Sequence, residues 1–173
     1  MQVIAVVGTK KSGKTTTTEN LIKELTERGY KVAAIKHIAE PDFTIDTAGK
    51  YTWKFAKAGA KTIISIAANE IATIEKGTTE SVSLEKLLKK CRGNDIVFIE
   101  SLKKHVALKK NIPKIVITKS KKIATNAQKT FKPILAFSGP HSTETLDLTA
   151  PYADGLKNPR KLANIIEKAI LKK

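Results

Sequence analysis

The chain of 173 residues has one cysteine, Cys91, three arginines and only 5% aromatic residues. A single thiol excludes an internal disulfide framework and a cysteine-based zinc site. No run approaches the roughly 18 consecutive apolar residues that a membrane helix needs. Acidic residues are absent from 101–143, a stretch that holds ten lysines. Across the chain, 32 Lys+Arg face 16 Asp+Glu, a formal net charge of +16. A one-signed segment repels itself unless it is solvated or meets an anion. Nucleotide phosphates, a phosphorylated cofactor, an acidic protein and nucleic acid are the candidate anions. General lysine enrichment without any partner is equally open. The few aromatics, with no basic motif interleaved among them, disfavour nucleic acid.

What is present suffices for one domain over 1–173, with 41% apolar and 28% charged residues. Met1–Val7 is apolar but lacks the basic region and cleavage site of a signal peptide, so a soluble cytoplasmic protein is expected. Gln2–Val7 reads as a buried strand, Lys14–Arg28 as a helix stopped by Gly29, and Lys31–Ile35 as a second buried strand. Together they form a βαβ unit with a right-handed crossover. Glu40–Gly49 is a loop, Lys50–Ala58 a helix, and Thr62–Ala67 with Ile71–Glu75 a hairpin. A helix opens at Ser83-Leu84-Glu85, and strands follow at Asp95–Ile99, Lys114–Thr118 and Ile134–Phe137. The last helix runs from about Asn158 to Leu171. The fold class is three-layer α/β with a mainly parallel sheet.

Gly8-Thr9-Lys10-Lys11-Ser12-Gly13-Lys14-Thr15 matches G-x-x-x-x-G-K-[ST] between a predicted strand and a predicted helix. Such a loop wraps its backbone N–H groups around phosphate oxygens, so Gly8 and Gly13 stand where a Cβ or a negative φ would interfere. Lys14 reaches the β- and γ-phosphates, Thr15 offers its hydroxyl to Mg²⁺, and the helix adds its dipole. The chain is therefore expected to be a P-loop NTPase. The metal also needs an acid at a strand end. Glu100, closing Asp95–Ile99, is placed there; Asp95, at the other end, is not. Asp42 and Asp46 lie in the loop after the second strand, where switch-like segments sense metal and γ-phosphate. Asp46 is the stronger candidate, to orient water or hold the metal through it; turn formation is the alternative for both. His37 has no His or Cys at ligand spacing and reads as a polar contact.

In this order and spacing the sequence resembles the molybdopterin-guanine dinucleotide biosynthesis protein B family. The resemblance opens with Gly8–Thr15 and Thr16, and continues with Ile35-Lys36-His37 and Asp42-Phe43-Thr44-Ile45-Asp46. Gly49-Lys50-Tyr51-Thr52-Trp53-Lys54, Ala58-Gly59-Ala60 and Ile99-Glu100-Ser101-Leu102-Lys103 complete it. The family's "GKDS" has Tyr51 and Thr52 here, and its "EGFK" has Ser101 and Leu102. Glu40 stands where a loop histidine is often found. The resemblance implies a GTP-binding adaptor with slow hydrolysis, assisting attachment of a guanine nucleotide to molybdopterin. It implies Mg²⁺, a molybdopterin guanylyltransferase and the molybdopterin cofactor as partners, and a homodimer. GTP rests on the resemblance alone, because Thr118-Lys119-Ser120-Lys121 ends in a lysine that cannot accept the guanine N–H groups. Slow hydrolysis also fits the lack of an evident arginine finger. The alternative is a P-loop small-molecule or nucleoside kinase, but its lid would carry arginines, and none occurs between 92 and 160. A nickel-type metallochaperone would want paired cysteines or a His-rich tail, and neither is present.

Overall fold

Short apolar runs without alternation demand burial on both faces, and four of the described strands obtain it; the strand at Val32–Lys36, expected to be buried, stands at the sheet's edge with no fully buried residue. The computed structural model describes residues 1–77, 80 and 82–171. In chain order, β1 (Gln2–Gly8), α1 (Lys14–Glu27) and β2 (Val32–Lys36) are followed by α2 (Tyr51–Lys57), β3 (Thr62–Ile66) and β4 (Ile71–Glu75). Then come α3 (Leu84–Lys90), β5 (Ile96–Glu100), α4 (Lys103–Val106), β6 (Lys114–Ile117), α5 (Lys121–Thr130), β7 (Ile134–Ser138) and α6 (Pro159–Ile170). Two compact units result: Met1–His37 with Leu84–Lys173, and Ile38–Ser83.

In the first unit, one parallel sheet has the order β2-β5-β1-β6-β7. Alternate residues of each strand feed two cores. Ile4, Val6, Phe98 and Ile117 pack with Leu21 and Leu25 of α1 and Leu162 and Ile166 of α6. Ala5, Val7, Ile99 and Val116 pack on the other face with Val106, Ala124 and Phe131. Helices thus cover both faces, as the three-layer reading expects. Arg28 joins α1 to α6 through Glu24, Asn164 and Glu167. No described helix is long and apolar enough to cross a membrane.

The basic stretch departs from expectation. It is not simply a solvated face: β6, α5 and β7 all lie in it. Lys114 is fully buried, and its Nζ donates to the carbonyls of Lys109 at 2.8 Å and Lys132 at 2.6 Å. With no carboxylate available, two backbone oxygens satisfy the ammonium. Helix α5 went unforeseen because its buried stripe is Ala124 and Ala127, too small to stand out among lysines.

In the second unit, β3 and β4 pair antiparallel with Ile63 opposite Ile74 and Ile66 opposite Ile71. α2 lies against β3. Ile63 is the one buried residue among the described residues of this unit. On the hairpin's opposite face, Ile64, Ile66 and Ile71 are 62%, 77% and 71% exposed.

Candidate functional site

The parallel sheet sets the ends of β1, β2 and β5 side by side. Strand β1 ends at Gly8, where a Cβ would lie 2.9 Å from both the Ile117 carbonyl and Ser12 Oγ. Gly8 is thus required for space. Gly13 is required for conformation, since its φ is +94° and its Cβ would meet only Leu156 side-chain atoms, at 3.4 Å or beyond. Gly13 caps α1 without a side-chain hydrogen bond, and no acid occupies the first turn. The helix therefore offers its first N–H groups and positive dipole end to an anion. Ser12 is 3% exposed and its Oγ has no hydrogen-bond partner. This cradle fits a phosphate group.

Lys14 Nζ donates to the Thr9 carbonyl at 2.6 Å. Burial pulls its pKa below the usual lysine value; Glu100 opposes this, and Lys103 and Lys36 add to the lowering. Lys14 thus shares this end of the sheet with one carboxylate and two further lysines. Glu100, 7% exposed, is the last residue of β5 and the register neighbour of Lys36 on β2 and Val6 on β1. Thr15 Oγ1 donates to Glu100 Oε1 at 2.9 Å. Thr15 and Glu100 are therefore in contact, as a metal pair would require. No cluster of three or more His, Cys, Asp or Glu suited to a metal exists among the described residues. A divalent cation here would complete its shell with phosphate oxygens and water.

Lys36 entered the sequence reading only within the family resemblance, with no role assigned, yet its Nζ donates to Thr15 Oγ1 at 3.1 Å and lies 3.4 Å from Glu100 Oε2. The available signal was positional: it ends the strand beside the one closed by Glu100. A cavity of about 570 Å³ opens here, lined by Thr15, Ile22, Lys36 and Glu100 among others. A larger one of about 690 Å³, against α6, contains none of the candidate residues.

Thr9, Lys10, Lys11 and Thr16 take their expected places in the loop and the first turn of α1, Lys11 with φ +54°. Asp42 and Asp46 belong to the second unit. Asp42 is exposed beside a turn closed by Phe43 N–H on the Glu40 carbonyl. Asp46 Oδ1 accepts from Thr52 Oγ1 at 2.7 Å, while its buried Oδ2 has no partner. Thr52 thus keeps the hydroxyl that the "GKDS" serine would supply. Ser101, where the pattern has glycine, adopts φ +77°, and Leu102 follows at +45°. Asp95 sits away from the site, accepting from Lys31 N–H at 2.8 Å. Ser120 caps α5, accepting from Ile123 N–H at 3.4 Å, so Thr118-Lys119-Ser120-Lys121 is a strand exit leading into a helix.

A provisionally named molybdopterin-guanine dinucleotide biosynthesis adapter protein of Methanocaldococcus jannaschii is 40% identical over 124 residues, 70% of this chain and 49% of that one. A molybdopterin-guanine dinucleotide biosynthesis adapter protein of Haemophilus influenzae is 33% identical over 117 residues, 66% of this chain and 62% of that one. The matched chain thus spans about half to three fifths of these relatives. Among solved structures, a molybdopterin-guanine biosynthesis protein B superposes with a TM-score of 0.73 at 22% identity, covering 98% of this chain and 99% of that one. Bacillus subtilis MobB gives 0.72 at 22% identity, covering 97% of each chain. These structures share the fold. Residues 3–138 match the family described as molybdopterin guanine dinucleotide synthesis protein B (MobB), and the chain belongs to that family.

Proposed function

We propose that this chain binds GTP with Mg²⁺ at the P-loop, hydrolyses it slowly, and acts as a cytoplasmic adaptor in molybdopterin guanine dinucleotide synthesis. The observation that carries the phosphate part is the uncapped N-terminus of α1 behind the Gly8–Thr15 loop, with Thr15 hydrogen-bonded to Glu100. The guanine preference and the adaptor role are supported by family membership. Lys14 would reach the β- and γ-phosphates, and the backbone N–H groups from Thr9 to Thr16 would hold the remaining oxygens. Thr15 and Glu100 would hold the metal, whose charge neutralises the phosphates. Slow turnover is supported by Arg28, which is committed to Glu24 and Glu167.

The partners in this reading are a molybdopterin guanylyltransferase, molybdopterin itself and a second copy of the chain. The exposed isoleucine face of the β3–β4 hairpin supports the homodimer. Titration calorimetry with GTP, ATP and their diphosphates, with and without Mg²⁺, tests the proposal. Lys14→Ala should lower triphosphate affinity at least about 100-fold while leaving the far-UV circular dichroism unchanged. Glu100→Gln should weaken the gain from Mg²⁺ more than diphosphate binding in EDTA. Unchanged affinity in Lys14→Ala would remove the P-loop assignment.

A further inference from the structure

The Thr15–Glu100 pair already has a cation on it. Lys36 Nζ stands 3.1 Å from Thr15 Oγ1 and 3.4 Å from Glu100 Oε2, while the Thr15 hydroxyl proton points to Glu100 Oε1 at 2.9 Å. Each of the three groups thus bonds or pairs with the other two. A hydroxyl has one proton and two lone pairs. Its proton is given to Glu100 and one lone pair receives Lys36. A divalent ion held by Thr15 and Glu100 needs those same oxygens facing it.

We infer that Lys36 is an internal cation that competes with Mg²⁺ for Thr15 and Glu100 and sets the metal threshold of the site. This deepens the nucleotide reading above and rests on it. The Glu100 side chain is only 10% exposed, so its charge needs a partner when no metal is bound. Lys36 supplies that partner from the neighbouring strand end. Its side chain is 49% exposed, so the ammonium can leave on its flexible stem without opening the core. Once displaced, it remains beside a site already facing Lys14, with Lys103 near enough to act on the Lys14 charge. Lys14, Lys36 and Lys103 outnumber the carboxylate three to one. That surplus suits a polyphosphate bound without metal as well as with it. The site should therefore discriminate weakly between metal-free and metal-bound triphosphate, and Lys36 is the reason.

The test compares the full chain with Lys36→Met, Lys36→Gln and Lys36→Arg, each checked by far-UV circular dichroism. The probes are Mn²⁺ alone, followed by electron paramagnetic resonance, and GTP or inorganic triphosphate titrated in EDTA and across a Mg²⁺ series. Both neutral variants should bind Mn²⁺ at least about 3-fold more tightly than the parent. In each, the Mg²⁺ needed for half the gain in triphosphate affinity should fall similarly, and affinity in EDTA should drop about 3-fold or more. Lys36→Arg should retain parent-like affinity in EDTA. Mn²⁺ affinity and Mg²⁺ dependence within twofold of the parent, or no measurable metal binding in any protein, would overturn the inference. A parent that binds no nucleotide while its neutral variants gain Mn²⁺ affinity would overturn the nucleotide reading and leave Lys36 in its role.

Discussion

The two units are built from similar β-branched residues and stabilised very differently. In the sheet unit, Ile4, Val6, Phe98, Ile99, Ile115 and Phe137 are all fully buried, because the strands that carry them have a helix layer on either side. In the 38–83 unit only Ile63 among the described residues is buried, and Ile64, Ile66 and Ile71 face solvent. A two-stranded hairpin with one short helix has too little surface to enclose a core. The same residue type is therefore structural ballast in one unit and available contact surface in the other. Burial, not composition, separates scaffold from interface.

The largest expected effect separates the units directly. Phe98→Ala should cost about 3–5 kcal/mol in urea unfolding, through lost burial and the cavity it leaves. Ile64, Ile66 and Ile71 changed together to serine should cost far less than that in the protomer and shift sedimentation toward the monomer. A hairpin variant as unstable as Phe98→Ala would break the contrast.

Lys114 sharpens it from the other side, as a charged residue inside the scaffold. Lys114→Ala should cost about 2–4 kcal/mol, from the cavity and the two carbonyls left without a donor. Burial lowers the Lys114 pKa from 10.5 to about 8. Between those values the unfolded chain binds the additional proton, so this residue makes stability rise with pH across that window. Below pH 8 the cost of the buried charge is present in full. Lys114→Met should flatten the rise, as read from urea midpoints at steps through the window; a parallel rise in both proteins would refute the link.

The smallest effect concerns the turn after β5. Ser101 holds φ +77°, a conformation that costs a residue with a side chain about 1 kcal/mol or more. Ser101→Gly should stabilise the fold by about 0.5–1 kcal/mol, after allowing for the added freedom of the unfolded chain. A drop in thermal midpoint would show that the serine side chain holds the turn. No change in the hairpin unit is expected, because Ser101 lies outside it.

Much of the site was legible in the sequence because its parts are contiguous. Gly8 to Thr15 is a single stretch whose spacing matches a phosphate-binding pattern, and Glu100 follows an apolar strand that must be buried. The strands were legible for the same local reason, with boundaries moving by a residue or so: Lys31–Ile35 became Val32–Lys36. What depended on neighbours was not. Lys36 became part of the site only because β2 pairs with β5 in a register that sets it beside Glu100. Lys114 is one lysine among ten in its stretch until the sheet closes over it. Helix α5 exists because two alanines find a sheet to pack on. Local pattern alone determined the strands, the loop from Gly8 to Thr15 and the helix that follows it, since turn geometry and hydrophobic period act over a few residues. Which charges meet, and which lysine is buried, were decided by the tertiary structure, because those energies depend on distance and burial between residues far apart in the chain.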